Sequence, residues 1–531
     1  MSDDVSVAPV QSGFKVWLGK DAMASVVVFL VALPLCMGVS IASGVPPTSG
    51  LITGIVGGLI VGVFAGSPFQ VSGPAAGLTV LVWQLVQQHG LPMLGVIVLM
   101  AGLFQLAAGV LKLGQWFRAV SPAVIHGMLA GIGLLILTAQ FHVMLDGKPI
   151  GKGIDNLFAI PDALNRAVTG GGAPLHALYI GIVSIAVMAL WGAYAPKKLK
   201  VLPAPLIAVV IAVIAAAYFK LKINYVIVPD NIWSVIQYPT LENLTHGFET
   251  PILIAAVSVA FIASAETLLC ASAVDQMHQG ERTKYDKELT AQGIGNAICG
   301  ILGVLPMTGV IVRSSANIEA GAKTRASAIF HGLWLLLFAA VLPFTLRYIP
   351  VSCLAAVLVF TGYKLAYPKA VPKLLEFGKS EVAIYAVTIA VIVGADLLKG
   401  VVLGLLLSLF KLLYVFSQLD IEYRDDVAKN SVHLRLTGSA TLIRLPMLAS
   451  ALEQVRSGTA VHVHLDKLEY IDHACFDLLA NWEKQHKTTN GSLTIEWDEL
   501  SRKFHQRRSG AQKKAIKIKS AALKTAKRSK S

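Results

Sequence analysis

Residues 251 to 273 read PILIAAVSVAFIASAETLLCASA, and Glu266 is the only charge among them. At ~1.5 Å of rise per residue, a helix of that length covers the ~30 Å hydrocarbon core of a bilayer. Inside lipid no water pairs with the backbone, so a spanning chain must be a helix or a strand of a closed barrel. Similar apolar blocks recur from about residue 20 to residue 418. They are long rather than alternating, which selects helices. Composition agrees: 14% of the residues are charged, against roughly 25% in soluble domains. The chain therefore reads as an α-helical polytopic membrane protein. Its polar N-terminus, MSDDVSVAPVQSGFKVWLGK, leads into a full span and reads as lacking a cleavable signal peptide.

The net charge of +14 belongs to the end of the chain. From Arg502 to Ser531 there are twelve Lys/Arg and no Asp/Glu, and the remainder carries 33 basic and 31 acidic residues. Residues 506–531 read as a disordered basic tail. It suits anionic lipid, at roughly 1 kcal/mol per basic residue near the surface, and nucleic acid is not expected as a partner. The five cysteines give no disulfide framework. No nucleophile–base pair or metal cluster stands out, so the chain does not read as an enzyme. His462 and His464 alternate on a strand, with no further ligands evident.

Residues 1–19 form a short cytoplasmic segment, and residues 20–418 divide into fourteen apolar segments, some short. The third, 74–88, and the tenth, 310–320, are too short to cross as helices. Each follows a stretch rich in Pro, Gly, Ser or Thr, SPFQVSGPAAG and LPMTG. With the N-terminus inside, the loop lysines and arginines concentrate on the cytoplasmic face. An even count returns the C-terminus to that face, and the membrane is the inner (plasma) membrane. The two broken segments hold the same place in two halves of seven, and an odd number makes those halves inverted. Interrupted segments at matching positions are the best sequence pointer to a transporter's binding site. From about Ile421 the pattern changes. SVHLRLTGS and AVHVHLD alternate like half-buried strands, and SLTIEWD reads as a third strand. LPMLASALEQVRS and HACFDLLANWEKQHKTTNG read as helices. Residues 421–505 are thus a small α/β domain.

Non-helical backbone at bilayer depth must be wrapped in protein or line a wet cavity. Gly73, Pro74 and Gly77, and likewise Thr308 and Gly309, free the first amides of the two short helices. A helix N-terminus carries about half a positive charge and unpaired N–H donors. Two such ends facing each other form a positive nest that fits an oxyanion, and Arg313 adds a full charge in the first turn of the second helix. The competing reading is that Arg313 snorkels to the headgroups. Glu266, with Thr308, is the candidate for a coupling cation, Na⁺ or H⁺, and no other metal or cofactor is expected. A structural tie from Glu266 to Arg313 or to a backbone donor is the alternative.

Three segments, VFLVALPLCMGVSIASGVPPTSGLITGIVGGLIVG, SPFQVSGPAAGLTV and PMTGVIVRSSANIEAGAKT, come in that order before the α/β domain. Together they resemble the SulP family of anion transporters with a STAS domain, over residues 20 to about 500. The resemblance implies seven plus seven inverted repeats arranged as core and gate domains, a cytoplasmic STAS domain, and a homodimer. It implies an anion held between the third and tenth helices, with the first and eighth lining the cavity. On this chain that means Ala75, Ala76 and Gly77 at one helix end and Val310, Ile311 and Val312 at the other. Arg313, Glu266, Leu35 and Gly38 complete the set. One departure is Asp472-His473-Ala474, which lacks the hydroxyl that phosphorylated STAS domains carry two residues after the aspartate.

The expectation is a secondary active transporter of small inorganic oxyanions, bicarbonate or sulfate. Coupling to Na⁺ or H⁺ and alternating access complete it. Two rivals stand: a nucleobase transporter of the same fold, and a non-transporting anion sensor. Arg313 and the lack of an obvious second intramembrane acid count against the first.

Overall fold

The computed structural model describes residues 14–495 apart from 116–120, 152, 197–198, 200–201, 230 and 367–370. The start of the N-terminal segment and the basic tail 506–531, with the lipid contact expected of it, lie outside the described residues. The chain divides into two compact units, residues 1–405 and 406–531.

The first unit is helical. Its elements are α1 (Phe14–Ala42), α2 (Pro47–Val56), β1 (Ser72–Pro74), α3 (Thr79–His89), α4 (Leu91–Val110), α5 (Pro122–Met144), α6 (Gly153–Gly170), α7 (Gly172–Tyr194) and α8 (Ala204–Tyr218). There follow α9 (Thr250–Met277), α10 (Tyr285–Ile301), β2 (Met307–Gly309), α11 (Ile311–Glu319), α12 (Ala326–Val341), α13 (Val351–Ala366), α14 (Lys379–Gly394) and α15 (Leu397–Phe416), which crosses into the second unit. Eight described helices are long and apolar enough to cross a membrane. Each of the fourteen expected segments overlaps one of the named helices, α6 being the addition, and the two half-length ones are α3 and α11. Helices α2, α4, α5, α8 and α9 open with proline in their first two positions, where its missing N–H leaves nothing unpaired.

Packing sorts the helices into two bundles, the core and gate of an inverted seven-plus-seven fold. Helix α10 packs on α4, α9 on α4, and α12 on α1; α5 packs mainly on α13 and α14. Between the inverted halves, β1 and β2 pair antiparallel, with Ser72 opposite Gly309, Gly73 opposite Thr308 and Pro74 opposite Met307. The pairing continues as Val310 N–H donates to Val71 O at 2.9 Å. The two unwound stretches therefore satisfy each other's backbone away from water.

The second unit contains β3 (Leu419–Asp426), β4 (Ser431–Ala440), α16 (Leu445–Glu453), β5 (Ala460–Ile471), α17 (His473–Thr488) and β6 (Ser492–Thr494). Its sheet runs β3-β4-β5-β6, antiparallel at the first pairing and parallel at the others. Strand β3 is an addition to the sequence reading, because Ile421 and Tyr423 alternate among five charged residues. Val432, Leu434 and Val461 from the sheet meet Leu448, Leu452 and Leu479 from the helices. Asp472 caps α17, accepting from Cys475 N at 2.9 Å and from Leu442 N. It thereby ties the helix to the turn after β4. His433 lies beside the expected histidine pair, with its Nδ1 3.1 Å from His464 Nε2. Among the described residues no group of three or more His, Cys, Asp or Glu is arranged to hold a metal ion.

Candidate functional site

The two strands are held from behind by one face of α10. Glu288, in its first turn, is fully buried. Its carboxylate accepts from Gly66 N (2.8 Å), Ser67 N (2.9 Å), Gln70 Nε2 (3.2 Å) and Gln292 Nε2 (3.1 Å). Gln292 also donates to Ser72 Oγ on β1 at 2.6 Å. Asn296 brackets Met307 on β2, donating to its carbonyl at 3.0 Å and accepting from its N–H at 2.7 Å. The same Asn296 donates to Gln105 Oε1 at 2.7 Å, and Gln105 donates to Ser264 Oγ on α9 at 3.1 Å. Residues 288, 292 and 296 follow four-residue spacing and so share a helix face. One rigid stripe thus fixes the spacing of β1 and β2.

Sequence reasoning missed this stripe, although ELTAQGIGN displays it. It also supplies the second intramembrane acid that was not obvious in the sequence. Glu288 is such an acid, but four protein donors occupy its oxygens, so it offers no free edge to a nucleobase.

In front of the strands lie the two half-helix ends. Ala75 is extended and leads through a single 3₁₀ turn, Ala76–Leu78, into α3. Val310 is extended and leads directly into Ile311 and Val312 of α11. Neither helix has a side-chain cap of its own, although the Gly77 amide is turned toward the Glu266 carboxyl group. Ala75 and Gly77 are buried, while Ala76, Val310, Ile311 and Val312 are half-buried. The six expected helix-end residues are therefore gathered at the two ends of one strand pair.

Glu266 reaches this place from α9. A Cβ built on Gly77 would lie 2.8 Å from Glu266 Oε2, so only glycine lets the carboxylate sit against the start of α3. Thr308 flanks the same carboxyl group. Glu266 Oε2 and Thr308 Oγ1 are both enclosed without a hydrogen-bond partner. Next to Thr308, the Gly309 N–H donates to Thr267 Oγ1 at 3.1 Å.

Arg313 is fully buried, which overturns the snorkelling reading. Its guanidinium lies under β1, where a Cβ on Gly73 would collide with Nη1. Cys36 and His331 are its polar neighbours. Nε, Nη1 and Nη2 all lack a hydrogen-bond partner, so no tie to Glu266 forms. A buried charge without compensation is costly, and here it gives the region behind the two helix ends a full positive charge.

The two α1 residues divide. Leu35 is buried in the main apolar core, directly after Pro34, the proline inside α1. Gly38 faces α13, where a Cβ would meet the Leu358 side chain at 3.4 Å. It is a position of helix approach between α1 and α13.

Two cavities follow the seam between the bundles. One, of about 580 Å³, is lined by Phe104, Gln105, Met128, Phe261, Ala265 and Leu405. The other, of about 410 Å³, is lined by Gln84, Gln88, His89, Ser258 and Asp396 among others. Helix α9 contributes Val257 to Leu269 to the first and Pro251 to Ser258 to the second. Helix α9 thus runs past both, and Glu266 is not among the lining residues of either.

Known proteins are similar to this chain in sequence and in fold. The chain is 28% identical over 502 residues to YvdB of Bacillus subtilis (strain 168), which carries the name of a sulfate transporter, covering 90% of this chain and 91% of that one. It is 26% identical over 441 residues to the bicarbonate transporter BicA of Picosynechococcus sp. (strain ATCC 27264 / PCC 7002 / PR-6), covering 78% and 74% respectively. Among solved structures, the transmembrane domain of a cyanobacterial BicA superposes with a TM-score of 0.61 at 24% identity, over 74% of this chain and 97% of that domain. Murine Slc26a9 in its inward-facing state gives 0.74 at 14% identity, over 93% and 88%. The match to the sulfate permease family model spans residues 18–388, taking in both broken helices, the strand pair, Glu266, Glu288 and Arg313, and on that match the chain belongs to the sulfate permease family.

Proposed function

We propose that this protein is a secondary transporter of a small inorganic oxyanion, bicarbonate or sulfate, driven by a Na⁺ or H⁺ gradient. The carrying observation is a pair of half-length helices that start at the two ends of one strand pair, beside a buried Arg313 whose guanidinium lies against β1. Helix-end amides and a fixed positive charge suit an anion's oxygens. The unpartnered oxygens of Glu266 and Thr308 suit a hard cation or a proton beside it. The cation would then offset the anion's charge, and the pair would move with α9, α3 and α11 as the core shifts against the gate. The names of YvdB and BicA support the two substrate choices without separating them.

Purified protein in liposomes decides the matter. Labelled bicarbonate and sulfate are each offered with a Na⁺ gradient, a proton gradient and neither. Accumulation above equilibrium in one gradient supports coupled transport. Saturable binding with no accumulation makes the protein a sensor and ends the proposal.

A further inference from the structure

Helix α6 is the one long described helix of the first unit that is amphipathic instead of uniformly apolar. Its 18 residues include Asp155, Asp162 and Arg166, so it is a poor candidate to cross hydrocarbon. It packs on α5, α7 and α14. The contacts fall at the end of α5, around Val143, Met144 and Leu145, and at the start of α7, around Leu175 and Leu178. These two helices are consecutive spans, so their adjoining ends lie at one face of the membrane. Asn156 locks the near end: it accepts from Ile150 N at 2.9 Å, and its carbonyl meets His142 Nε2 at 3.0 Å.

The surface of α6 divides into three arcs. Counted at about 100° per residue from Asn156, one arc holds Asn156, Ile160, Ala163 and Ala167 and faces the protein. A second, at roughly 80° to 200°, holds Ile154, Leu157, Phe158, Pro161, Leu164 and Val168, all exposed, with Asn165 the one polar side chain among them. The third, at roughly 220° to 280°, holds Asp155, Asp162, Arg166 and Thr169, also exposed. Asp162 and Arg166 pair along it at 2.9 Å. Phe158 is 76% exposed, too open for a side chain covered by its own fold. An apolar arc beside a charged arc, on a helix already docked by a third side, has the chemistry of the water–lipid boundary. The neighbouring span α7, on which α6 packs, also exposes large apolar side chains, Tyr179, Ile182 and Val183. That favours lipid over a second protein chain.

We propose that α6 lies flat in the bilayer interface, with the Leu157–Phe158–Leu164 side among acyl chains, and anchors the α5–α7–α14 bundle to lipid. The five native cysteines are all buried, so an introduced surface cysteine can be spin-labelled selectively. Phe158→Cys, Leu164→Cys and Asp162→Cys are labelled in liposomes and tested with oxygen, which concentrates in lipid, and with a water-soluble nickel chelate. Labels at 158 and 164 should collide preferentially with oxygen, and the label at 162 with the chelate. Equal chelate access at all three positions would put the helix in water. Protection of 158 and 164 from both quenchers would mean a protein partner, such as a second copy. Either result overturns the proposal, and neither bears on whether anions are transported.

Discussion

Gly77→Ala separates the role of Glu266 in coupling from any role in folding. The new methyl carbon would stand 2.8 Å from Oε2 and 3.0 Å from Cδ and Oε1 of Glu266. Ordinary contact begins near 3.4 Å, so the carboxylate must retreat by about 0.6 Å. The backbone at residue 77 lies outside the left-handed region, so alanine introduces no strain there. It even favours the helical turn by up to ~1 kcal/mol. Stability should therefore barely change. A cation site, by contrast, tolerates ligand displacements of only about 0.2 Å. Disturbing the groups that orient a metal's ligands typically costs roughly 10- to 100-fold in affinity. We expect the half-saturating Na⁺ concentration for labelled-anion uptake in liposomes to rise by about that factor, with melting of the detergent-solubilised protein within a few degrees of the parent. An unchanged cation dependence at an unchanged melting temperature would refute the placement of the coupling ion at Glu266. A large fall in melting temperature without a shift in cation dependence would make the Gly77 contact purely architectural.

Further outcomes follow from the same geometry. Glu266→Gln should abolish gradient-driven uptake and leave equilibrium anion binding in place; concentrative uptake at the parental rate would contradict that role. Glu288→Ala strands the Gly66 and Ser67 N–H groups at about 1–3 kcal/mol each, so size-exclusion profiles should show aggregated or depleted protein. Glu288→Gln should be milder, because the unpartnered Oε1 atoms of Gln70 and Gln292 can turn toward the new amide; equal loss in both variants would refute the donor count. In the second unit, burial and then the Asp472 carboxylate push the Cys475 thiol up to about 12. Mass spectrometry should find Cys475 unmodified by iodoacetamide at pH 8 until the protein is denatured.

Much of the membrane architecture was legible because lipid imposes one requirement everywhere, and long apolar blocks answer it. The broken segments were legible for the opposite reason: Pro and Gly clusters at SPFQVSGPAAG and LPMTG cannot continue a helix. Those clusters located the ends at Ala75 and Val310, yet gave no hint that Ser72 and Gly309 pair. Register between strands three residues long depends on tertiary partners. The direction of Arg313 was equally hidden, since a long side chain can run to water or inward, and only the open space left by Gly73 decides it. Gly38 was assigned to the site by resemblance, and packing places it against Leu358. Helix α6 escaped because its apolar residues are spread over an arc and its mean hydropathy is low. Glu288 escaped because it stands at the edge of its segment, where a carboxylate is usually wet.

The three-residue ladder between Ser72–Pro74 and Met307–Gly309 joins parts of the polypeptide that leave the ribosome far apart in time. Until the later strand arrives, the earlier one has bare amides and no neighbour in hydrocarbon to receive them. Until then those amides need water or another transient donor-accepting partner. An ancestral gene encoding a single repeat would have needed a second, oppositely inserted copy to close the same ladder.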